Sequence, residues 1–548
     1  MAKPNQPSSS IDQKSGFCSA TKIFHSLKPP ILLPPEHQTL SVTDFAFSLS
    51  RTSPSPETAA LIDSATANRL SYRDLGRRTE TLASSLQSRL GLSRGDTAFV
   101  IAPSSVQLPI LYLSLISIGV VISPANPSNT ESEISRQIEI CKPTIAFATS
   151  ATARKLSSNR VATVLIDSAE FESTSEIGTD SVEVTQSDTA AILFSSGTTG
   201  PVKGVTLTYR NLVNVVLGAH TSRPRRESQQ RVVLLTVPLF HGYGLSWLLK
   251  SLAVGESLVL LTEKFDALRT IRAVERFEIT DMVLAPPALV AMTRVEDALM
   301  DGRDLRSLSR VVCGGAPIGM ETVMRFKSRF PTVILAQGYG LTEAHGGVSL
   351  NLEGPSDNKR LESVGRLGSN VEAKIVDPDS GEGLPPRVRG ELYIRGPMIM
   401  KGYIGDKEAT MGTLDSEGWM RTGDLCYIDE EGYLFIVDRL KELIKYNGYQ
   451  VPPVELEKLL ISHPDIIDAA VIPYPDEEAG QVPMAFVVRC DQSNLNKAQV
   501  MDYVAKQVAP YKKIRRVSFV ASIPKNPAGK ILRRELVKLA LSHSPSKL

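Results

Sequence analysis

The 548-residue sequence has few cysteines, almost no charge imbalance and no long apolar run. Its five cysteines are scattered, without a Cys-x-x-Cys pair or a nearby pair of histidines, which argues against a disulfide framework and a zinc site. Lys and Arg number 61 against 59 Asp and Glu, so no global field attracts nucleic acid or an anionic membrane. A reducing compartment fits this composition, and any anion site must be local.

Two further absences concern export and membranes. The first twenty residues are polar and rich in serine, and they lack the apolar segment of a secretory signal. We expect residues 1–20 to be disordered. The best apolar run, 110–122, is shorter than the ~18 residues that span a bilayer. It therefore predicts a buried helix and no transmembrane segment.

The sequence closes with the tripeptide Ser546-Lys547-Leu548. At a carboxyl terminus this tripeptide is an address that the peroxisomal import receptor binds. It predicts a peroxisomal protein with that receptor as a partner.

Length and patterning predict more than one domain, because a usual domain has roughly 100–200 residues. Up to residue 440, short apolar runs alternate with amphipathic stretches of helix length, which is typical of layered α/β sheets. Beyond residue 440 the pattern changes to that of a compact α+β unit. We predict a large domain over 21–440 and a small one over 441–548. In the small domain we expect helices at 454–462 and 497–508 and strands at 467–473 and 485–489.

Glycine-led segments interrupt the large domain where the backbone is expected to turn sharply or to approach a ligand. They lie at 195–205, 313–319, 337–347 and 390–396. We expect these four segments to be loops that wall a site.

The strongest local pattern is SSGTTGPVKGV at 195–205, directly after the apolar segment 190–194. Its glycines let backbone N–H groups approach anionic oxygens, its hydroxyls add donors, and Lys203 adds a charge. It is not a Walker A loop, because two residues separate Gly200 from Lys203 and Gly204 follows the lysine. The segment predicts a phosphate-binding loop of another kind.

Five more motifs follow in order: QGYGLTE at 337–343, GELYIRG at 390–396, RTGDL at 421–425, DRLKELIK at 438–445 and PAGK at 527–530. With them the sequence resembles, over nearly its whole length, the acyl-adenylate-forming enzymes, and among these the plant 4-coumarate:CoA ligase-like branch. The resemblance implies an α/β fold with a large N-terminal domain of layered sheets and a small, mobile α+β C-terminal domain.

The resemblance also implies an activity. It points to an AMP-forming acid:CoA ligase that makes an acyl-adenylate from a small-molecule carboxylic acid and then an acyl-CoA thioester. The implied cofactors are ATP, Mg²⁺ and coenzyme A. Attack of a carboxylate on the α-phosphorus of ATP depends mostly on positioning and on neutralising charge, so cations and donors should converge on the triphosphate.

By resemblance, each motif supplies part of the nucleotide site. Thr342 contacts the α-phosphate, and Glu343 holds Mg²⁺, a metal that prefers hard oxygen ligands. Asp424 accepts hydrogen bonds from the ribose hydroxyls, with Arg439 assisting. The other nucleotide-binding positions are Ser195, Ser196, Gly197, Thr198, Thr199, Lys203, Gly315, Gln337 and Gly338.

Two lysines of the small domain match positions that the family uses in catalysis. Lys530 matches the lysine that bridges the substrate carboxylate and the α-phosphate, where a donor is typically worth ~3–4 kcal/mol. Lys441 matches the hinge about which the small domain turns, and hinge residues absorb large changes in φ and ψ. Tyr339 either stacks on the adenine or lies in the core.

Beyond the hinge, further positions match the family's thioester-forming state. Lys445 and Gln450 match positions near the adenylate carbonyl, while Gly448 and Lys264 match contacts with coenzyme A. Asn447 departs from the family, which usually has lysine there, and this removes one potential phosphate-binding charge.

The acyl site also follows from the resemblance. His241 matches a gate beside the acyl carboxylate, and the pocket walls match Tyr243, Gly315, Gly340, Ala344, His345, Gly346 and Gly347. The glycines predict room for an aromatic ring or a long aliphatic tail. Tyr393 stands where hydroxycinnamate ligases usually carry cysteine, so 4-coumarate is not assigned. Acids bound for β-oxidation are favoured: fatty acids, cyclopentenone-type jasmonate precursors or cinnamic-type acids.

Three alternatives stay open at this point. One is a 4-coumarate or hydroxycinnamate ligase, and a second is a luciferase-like or amino-acid-adenylating enzyme that does not use coenzyme A. The third is a non-catalytic nucleotide-binding protein. The joint presence of Lys203, Glu343, Asp424 and Lys530 argues against this third alternative, because a binding module has no need of Lys530.

Overall fold

The structure is a computed structural model, and it describes residues 11–50, 55–172, 182–195, 202–222, 230–300, 302–351, 360–447, 449–476, 478–491, 493–526 and 529–542. In these ranges the strands form four sheets. The described helices are Val42–Ser50, Tyr72–Ser88, Gln107–Ser117, Glu131–Cys141, Ala169–Glu172, Tyr209–Ser222, Gly242–Val254, Ala267–Phe277, Pro286–Thr293, Asp297–Met300, Met320–Arg329, Lys407–Thr413, Pro453–Ile461, Lys497–Ala505 and Arg533–Ser542.

The first sheet is antiparallel throughout. Its strands, in spatial order, are Phe17–Cys18, Ile23–His25, Glu372–Val376, Gly390–Arg395, Met420–Ile428 and Leu434–Arg439. The chain leaves this sheet through a 3₁₀ turn, Leu440–Glu442, and enters the fourth sheet at Ile444.

The second and third sheets are mostly parallel and carry antiparallel strands at their edges. The second sheet has the order Gly402–Tyr403, Lys203–Thr208, Thr189–Ser195, Val121–Pro124, Thr97–Ile101, Ile145–Ala148 and Thr163–Leu165. The third has the order Ala344–Leu350, Ile334–Leu341, Arg310–Gly314, Asp281–Leu284, Val232–Leu235, Ser257–Leu260, Ala59–Asp63 and Arg69–Ser71.

The largest core lies between the second and third sheets, where the helices have a sheet packed on each side. Helix Gln107–Ser117 is buried from Leu108 to Ile116 because it sits in this layer, and a helix that is apolar all round belongs in such a place. The predicted layered α/β class is confirmed by this arrangement and by the structural relatives given below.

The fourth sheet is built from residues after the 3₁₀ turn. Its order is Tyr449–Val451, Ile444–Tyr446, Gly480–Arg489 and Ile466–Asp476, and Arg516–Phe519 pairs in parallel with Gly480–Arg489. Helices Pro453–Ile461 and Lys497–Ala505 pack on it around a core of their own. The division that we predict at residue 440 remains a prediction about domains, and this change of sheet supports it.

Two sequence predictions, one for the run 110–122 and one for the first twenty residues, differ from the structure. The run 110–122 is not one helix: the helix ends at Ser117, Gly119 turns with φ +78°, and a strand begins at Val121. The prediction of disorder does not hold for residues 11–20, because Phe17–Cys18 pairs with Ile23–His25 and Cys18 is buried. Residues 1–10 lie outside the described part.

Two of the four glycine-led segments are strands rather than loops. Residues 337–341 and 344–347 belong to a hairpin of the third sheet, and 390–395 belong to the first sheet. Glycine occurs there because neighbouring backbone approaches closely: a Cβ at Gly390 would lie 2.5 Å from the carbonyl oxygen of Val376. Among the described helices, none has the length and apolar character to cross a membrane.

Candidate active site

The base of the predicted phosphate loop is an antiparallel hairpin. Ser195 ends one strand of the second sheet, Lys203 begins the next, and the two residues are paired in register. Gly204 packs closely against Ile404, which follows the adjoining strand, since a Cβ there would lie 2.6 Å from that side chain. The loop that joins the strands, with Ser196, Gly197, Thr198 and Thr199, lies outside the described residues. The hairpin fixes where this loop leaves and re-enters the sheet.

A tyrosine that sequence reasoning missed connects this hairpin to the predicted metal ligand. The Nζ atom of Lys203 lies 4.5 Å from the ring centroid of Tyr403. The hydroxyl of Tyr403 donates to Oε1 of Glu343 at 3.1 Å. Burial and the charge of Glu343 raise the pKa of Tyr403, which keeps this phenol a donor. Lys203 and Glu343 therefore share one neighbourhood through Tyr403.

Thr342 and Glu343 form the tip of a hairpin at the edge of the third sheet, between paired residues Leu341 and Ala344. Glu343 accepts from Tyr403 through one oxygen, and its other oxygen makes no hydrogen bond to a described residue. No cluster of three potential metal ligands exists among the described residues. A single carboxylate suits Mg²⁺, which is usually held by one or two carboxylates, phosphates and water.

Asp424 is the most enclosed charge of the site, with 2% of its surface exposed. Its Oδ2 accepts from the hydroxyl of Tyr339, and its Oδ1 lies 3.2 Å from Nε of Arg439, its partner in the first sheet. Burial raises the pKa of Asp424, and the charge of Arg439 opposes this shift. Tyr339 thus joins the third sheet to the first at the predicted ribose position.

Lys530 lies on a tight loop whose glycine is closely packed. The amide of Lys530 donates to Oδ1 of Asn526 at 2.8 Å, and Asn526 donates back to the Lys530 carbonyl at 2.9 Å. Gly529 has φ +82°, and a Cβ there would lie 2.5 Å from Pro287 of the large N-terminal region. The loop therefore docks against helix Pro286–Thr293, and only glycine fits at this contact.

The docked loop brings Lys530 into the same electrostatic environment as the nucleotide-site residues. The pKa of Lys530 is lowered to about 8, mainly by burial and then by the charge of Arg439. Opposing contributions come from Glu442, Asp424 and Glu343. The charges of Arg439, Asp424 and Glu343, which belong to three separate motifs, thus influence the pKa of Lys530 in the folded chain. Glu442 of the 3₁₀ turn does so as well.

The acyl side of the site begins at helix Gly242–Val254. His241 caps this helix, and its Nδ1 accepts from the amide of Tyr243 at 3.2 Å. This bond places the proton of the neutral ring on Nε2. Burial lowers the pKa of His241, so the ring stays neutral.

Tyr243 reaches from the helix to the third sheet. Its hydroxyl donates to the carbonyl of Val312 at 3.4 Å. The neighbouring strands are close together, because a Cβ at Gly314 would lie 3.1 Å from the carbonyl oxygen of Gly338 and 3.6 Å from the Tyr243 hydroxyl. Gly315, with φ +93°, turns the chain directly after this strand. The absence of a Cβ at Gly314 thus lets the neighbouring strand and Tyr243 approach closely.

Two predicted site residues have mainly internal partners. The side-chain amide of Gln337 donates to the carbonyl of Leu361 and is buried. His345 has 1% of its surface exposed, and its Nε2 lies 3.3 Å from Oγ of Ser246. Burial, followed by the charge of Lys250, lowers the pKa of His345 to about 3. His345 is therefore a neutral polar group of the wall.

The volume that we predict beside the glycines for the acyl group is partly filled by neighbouring atoms. A Cβ at Gly346 would lie 2.5 Å from Cγ2 of Val215, so that valine occupies the space. A Cβ at Gly340 would lie 3.0 Å from the Cα of Gly347, so these two glycines serve close backbone approach. The prediction that Gly340 and Gly346 leave volume for the acyl group is wrong at these two points. Ala344, beside them, is fully buried.

The residues predicted for the second half-reaction lie apart from this cluster. Lys445 and Gln450 are paired on an exposed hairpin at the edge of the fourth sheet. The amide of Lys445 donates to Gln481 at 2.8 Å. Lys264 is exposed after strand Ser257–Leu260. Gly448 lies outside the described residues.

Sequence reasoning also missed three side chains on helix Gly242–Val254. Ser246, Trp247 and Lys250 follow Tyr243 at helical spacing, and all four lie on one face. The available signal was a polar and aromatic stripe on a helix whose other face is leucine-rich. Tyr403 gave no such signal, because it lies outside the motifs and its strand pairs within the second sheet, whereas Glu343 lies on a hairpin of the third.

Comparison with known proteins identifies the family. The model of the AMP-binding enzyme family matches residues 50–404, and the model of its C-terminal domain matches residues 455–530. The chain belongs to the AMP-binding enzyme family. The C-terminal match ends at Lys530.

Plant CoA ligases are among the proteins that are similar in sequence. 4-Coumarate–CoA ligase-like 9 of Arabidopsis thaliana is 52% identical, with 98% of each chain covered. Peroxisomal OPC-8:0-CoA ligase 1 of the same plant is 44% identical over 98% of this chain and 99% of its own. The predicted membership of the 4-coumarate:CoA ligase-like branch is confirmed.

A solved structure extends the likeness to the fold. The o-succinylbenzoate CoA synthetase of Bacillus subtilis, in complex with its acyl-adenylate intermediate, superposes with a TM-score of 0.80 at 25% identity, over 91% of this chain and 98% of the other. With the plant relatives, this confirms the predicted reaction class, an AMP-forming acid:CoA ligase that uses ATP and coenzyme A.

Proposed function

We propose that this family member performs its first half-reaction in the domain arrangement described above, with Lys530 bridging the acid carboxylate and the α-phosphate of ATP. The observation that carries the proposal is the docked loop, in which Gly529 packs on Pro287. In this position the charges of Asp424, Arg439 and Glu343 influence the pKa of Lys530. A cation held where negative charge develops stabilises the transition state without reorganisation.

The other residues of the cluster bind and orient the nucleotide in this proposal. Asp424 and Arg439 hold the ribose, Thr342 contacts the α-phosphate, and Lys203 with the adjoining loop binds the outer phosphates. Glu343 would hold Mg²⁺ through its carboxylate, and the metal would supply positive charge to offset the negative charge of the phosphates. Tyr403 orients this carboxylate through its hydrogen bond to Oε1. Neutral His241 stands beside the acyl carboxylate.

The second half-reaction uses the other end of the C-terminal unit. Rotation about Lys441 withdraws Lys530 and brings Lys445 and Gln450 to the adenylate carbonyl. Gly448 and Lys264 then contact coenzyme A. The exposure of the Lys445–Gln450 hairpin supports this step, because these polar side chains remain accessible while Lys530 occupies the site.

The proposed substrates are carboxylic acids bound for β-oxidation: fatty acids, cyclopentenone-type jasmonate precursors or cinnamic-type acids. The purified enzyme should release pyrophosphate with at least one of these classes and should form the acyl-CoA thioester only when coenzyme A is present. Pyrophosphate release and thioester formation are measured in parallel across the three classes. Pyrophosphate release with no thioester from any acid would instead favour a coenzyme-independent enzyme.

We further propose a peroxisomal location. It is supported by the Ser546-Lys547-Leu548 tripeptide, which lies outside the described residues, and by the 44% identical relative named as peroxisomal. Deleting Leu548 should leave the ligase activity of the purified protein intact but leave a fluorescent fusion, tagged at its N-terminus, in the cytosol of plant cells. Continued import of the truncated fusion would mean that another signal directs it.

A further inference from the structure

A cavity of about 810 Å³ lies between helix Lys407–Thr413 and the second sheet. This volume is within the range of ~300–1,000 Å³ that is usual for small-molecule sites. Ile192, Thr206 and Gly402 are paired side by side on three neighbouring strands, and all three line the cavity. Residues that are paired in this way share one face of a sheet, so this face forms a wall of the cavity.

The cavity opens on the face of the second sheet that points away from the active site. Leu193, Val205 and Tyr403 are also paired side by side, each next to a cavity-lining residue along its strand. They belong to, or pack against, the core between the second and third sheets. Because side chains alternate between the two faces of a strand, the three cavity-lining neighbours face the other way. The sheet therefore separates the cavity from the site around Glu343.

The cavity lining carries an excess of positive charge. Arg94, Lys401 and Lys407 contribute cations, and Asp188 is the one acidic residue among the described residues of the lining. Asp188 is already paired with Arg94 at 2.8 Å. Lys401 donates to the backbone carbonyl of Ser187 at 3.3 Å, and neither it nor Lys407 makes an ion pair with a described residue. Two lysines are thus available to an anion.

Much of the remaining lining is apolar. Val121, Ile192 and Ile404 contribute aliphatic side chains, and helix Lys407–Thr413 adds Met411. Met411 has 73% of its surface exposed, which is unusual for a large apolar side chain outside a binding surface. Its flexible thioether chain can adapt to ligands of different shape. Cations beside an apolar surface match an amphipathic anion, in which an acyl chain carries a carboxylate or phosphate head group.

One short segment connects this cavity to the predicted metal ligand. The amide of Met400 donates to the carbonyl oxygen of Glu343 at 2.9 Å, and the hydroxyl of Tyr403 donates to the carboxylate of the same residue at 3.1 Å. Between these two anchors, Lys401 lines the cavity. A ligand that displaces the segment therefore also displaces Glu343.

We propose that the cavity is a regulatory site for an amphipathic anion, an acyl chain with a carboxylate or phosphate head group, and that its occupant changes the affinity of the active site for ATP. The head group binds Lys401 and Lys407, and the chain covers Ile192 and Met411. The effect on ATP rests on the proposed role of Glu343, whereas binding at the cavity does not. Coupling between two sites is reciprocal, so ATP also changes the affinity for the anion.

Photoaffinity labelling of the full-length protein tests the site. The probes are dodecanoic acid and dodecyl phosphate, each with a diazirine near the end of its chain, and mass spectrometry locates the labelled peptides. At least one probe should label the segment 401–411, and dodecanol with the same diazirine should label it less because it has no charged head group. The more efficient probe distinguishes a free acid from a phosphate ester.

A double variant removes the two proposed head-group contacts. Lys401→Met combined with Lys407→Met should lower labelling of the cavity by about 3- to 10-fold, as expected for the loss of two partly exposed ion pairs. Lys497→Met combined with Lys538→Met removes two other exposed lysines and should leave labelling unchanged. Labelling confined to other peptides, or equal labelling of the two double variants, would overturn the proposal.

The regulatory effect is measured without turnover. Equilibrium dialysis gives the Kd of α,β-methylene-ATP, which cannot release pyrophosphate, with and without the better head-group compound lacking the diazirine. In the wild-type protein this Kd should change by about 5-fold or more, and in the Lys401→Met, Lys407→Met variant it should not change. An unchanged Kd in the wild-type protein, or an equal change in this variant, would overturn the regulatory role. Absence of pyrophosphate release with every acid would reject the proposed function alone, because neither measurement depends on turnover.

Discussion

Replacing Lys530 with alanine is expected to lower acyl-adenylate formation by about 10²- to 10³-fold, the usual effect of removing a donor from a developing charge. The same variant should still convert a supplied acyl-adenylate to the thioester, because Lys445 and Gln450 lie on a different edge of the C-terminal unit. Pyrophosphate release measures the first half-reaction, and thioester formation from synthetic adenylate measures the second.

Lys525 provides a matched control in the same loop. Its Nζ is paired with Asp468 at 2.7 Å, so its charge is already neutralised within the C-terminal unit. Lys525→Ala should therefore affect the two half-reactions equally and weakly. An equal loss of both half-reactions in Lys530→Ala would contradict its proposed role and would point to misfolding of the loop.

Replacing Arg533 with methionine is expected to destabilise the C-terminal unit by about 3–5 kcal/mol, because it strands two buried carboxylates. A terminal nitrogen of Arg533 lies 2.8 Å from Oε1 of Glu457, and its Nε makes a 3.2 Å ion-pair contact with Glu442. These side chains are at most 10% exposed. Burial raises the pKa of Glu457, and the charge of Arg533 opposes this shift. Amide hydrogen exchange in helix Pro453–Ile461 reports the local loss.

The neighbouring arginine controls for the loss of charge alone. Arg534 is exposed, so Arg534→Met should change stability by less than about 0.5 kcal/mol, as usual for surface positions. Adding Glu457→Gln to Arg533→Met should recover part of the loss, because one stranded charge is then removed. If Arg533→Met behaves like Arg534→Met, the ion pairs do not hold the hinge turn to the C-terminal unit.

Local patterns predicted much of the fold. The expected helix 454–462 is observed at Pro453–Ile461, and the expected strand 467–473 lies within strand Ile466–Asp476. The run 110–122 was misassigned because apolar character alone does not separate a buried helix from a buried strand. Only the left-handed turn at Gly119 divides them.

The candidate site, like the fold, could be predicted from the sequence only in part. The motifs predicted Glu343, Asp424, Arg439 and Lys530, and the folded chain brings these residues from different elements into one electrostatic environment. Their partners were not predictable, because Tyr403 and Glu343 belong to different sheets and only the tertiary fold brings them together. The packing of Val215 on Gly346 is also tertiary, and it reverses the expectation that a glycine leaves space.

The hydrogen bond between Tyr339 and Asp424 bears on how the enzyme turns over. In the free protein, the two oxygens of this buried carboxylate are already occupied, one by Tyr339 and the other by Arg439. If Asp424 binds the ribose as proposed, nucleotide binding exchanges one hydrogen bond for another, and an exchange yields less net affinity than a new bond to an unsatisfied group. Departing AMP likewise leaves no bare charge behind. In that case the hydrogen bond from Tyr339 would weaken the binding of AMP and so favour its release before the next cycle.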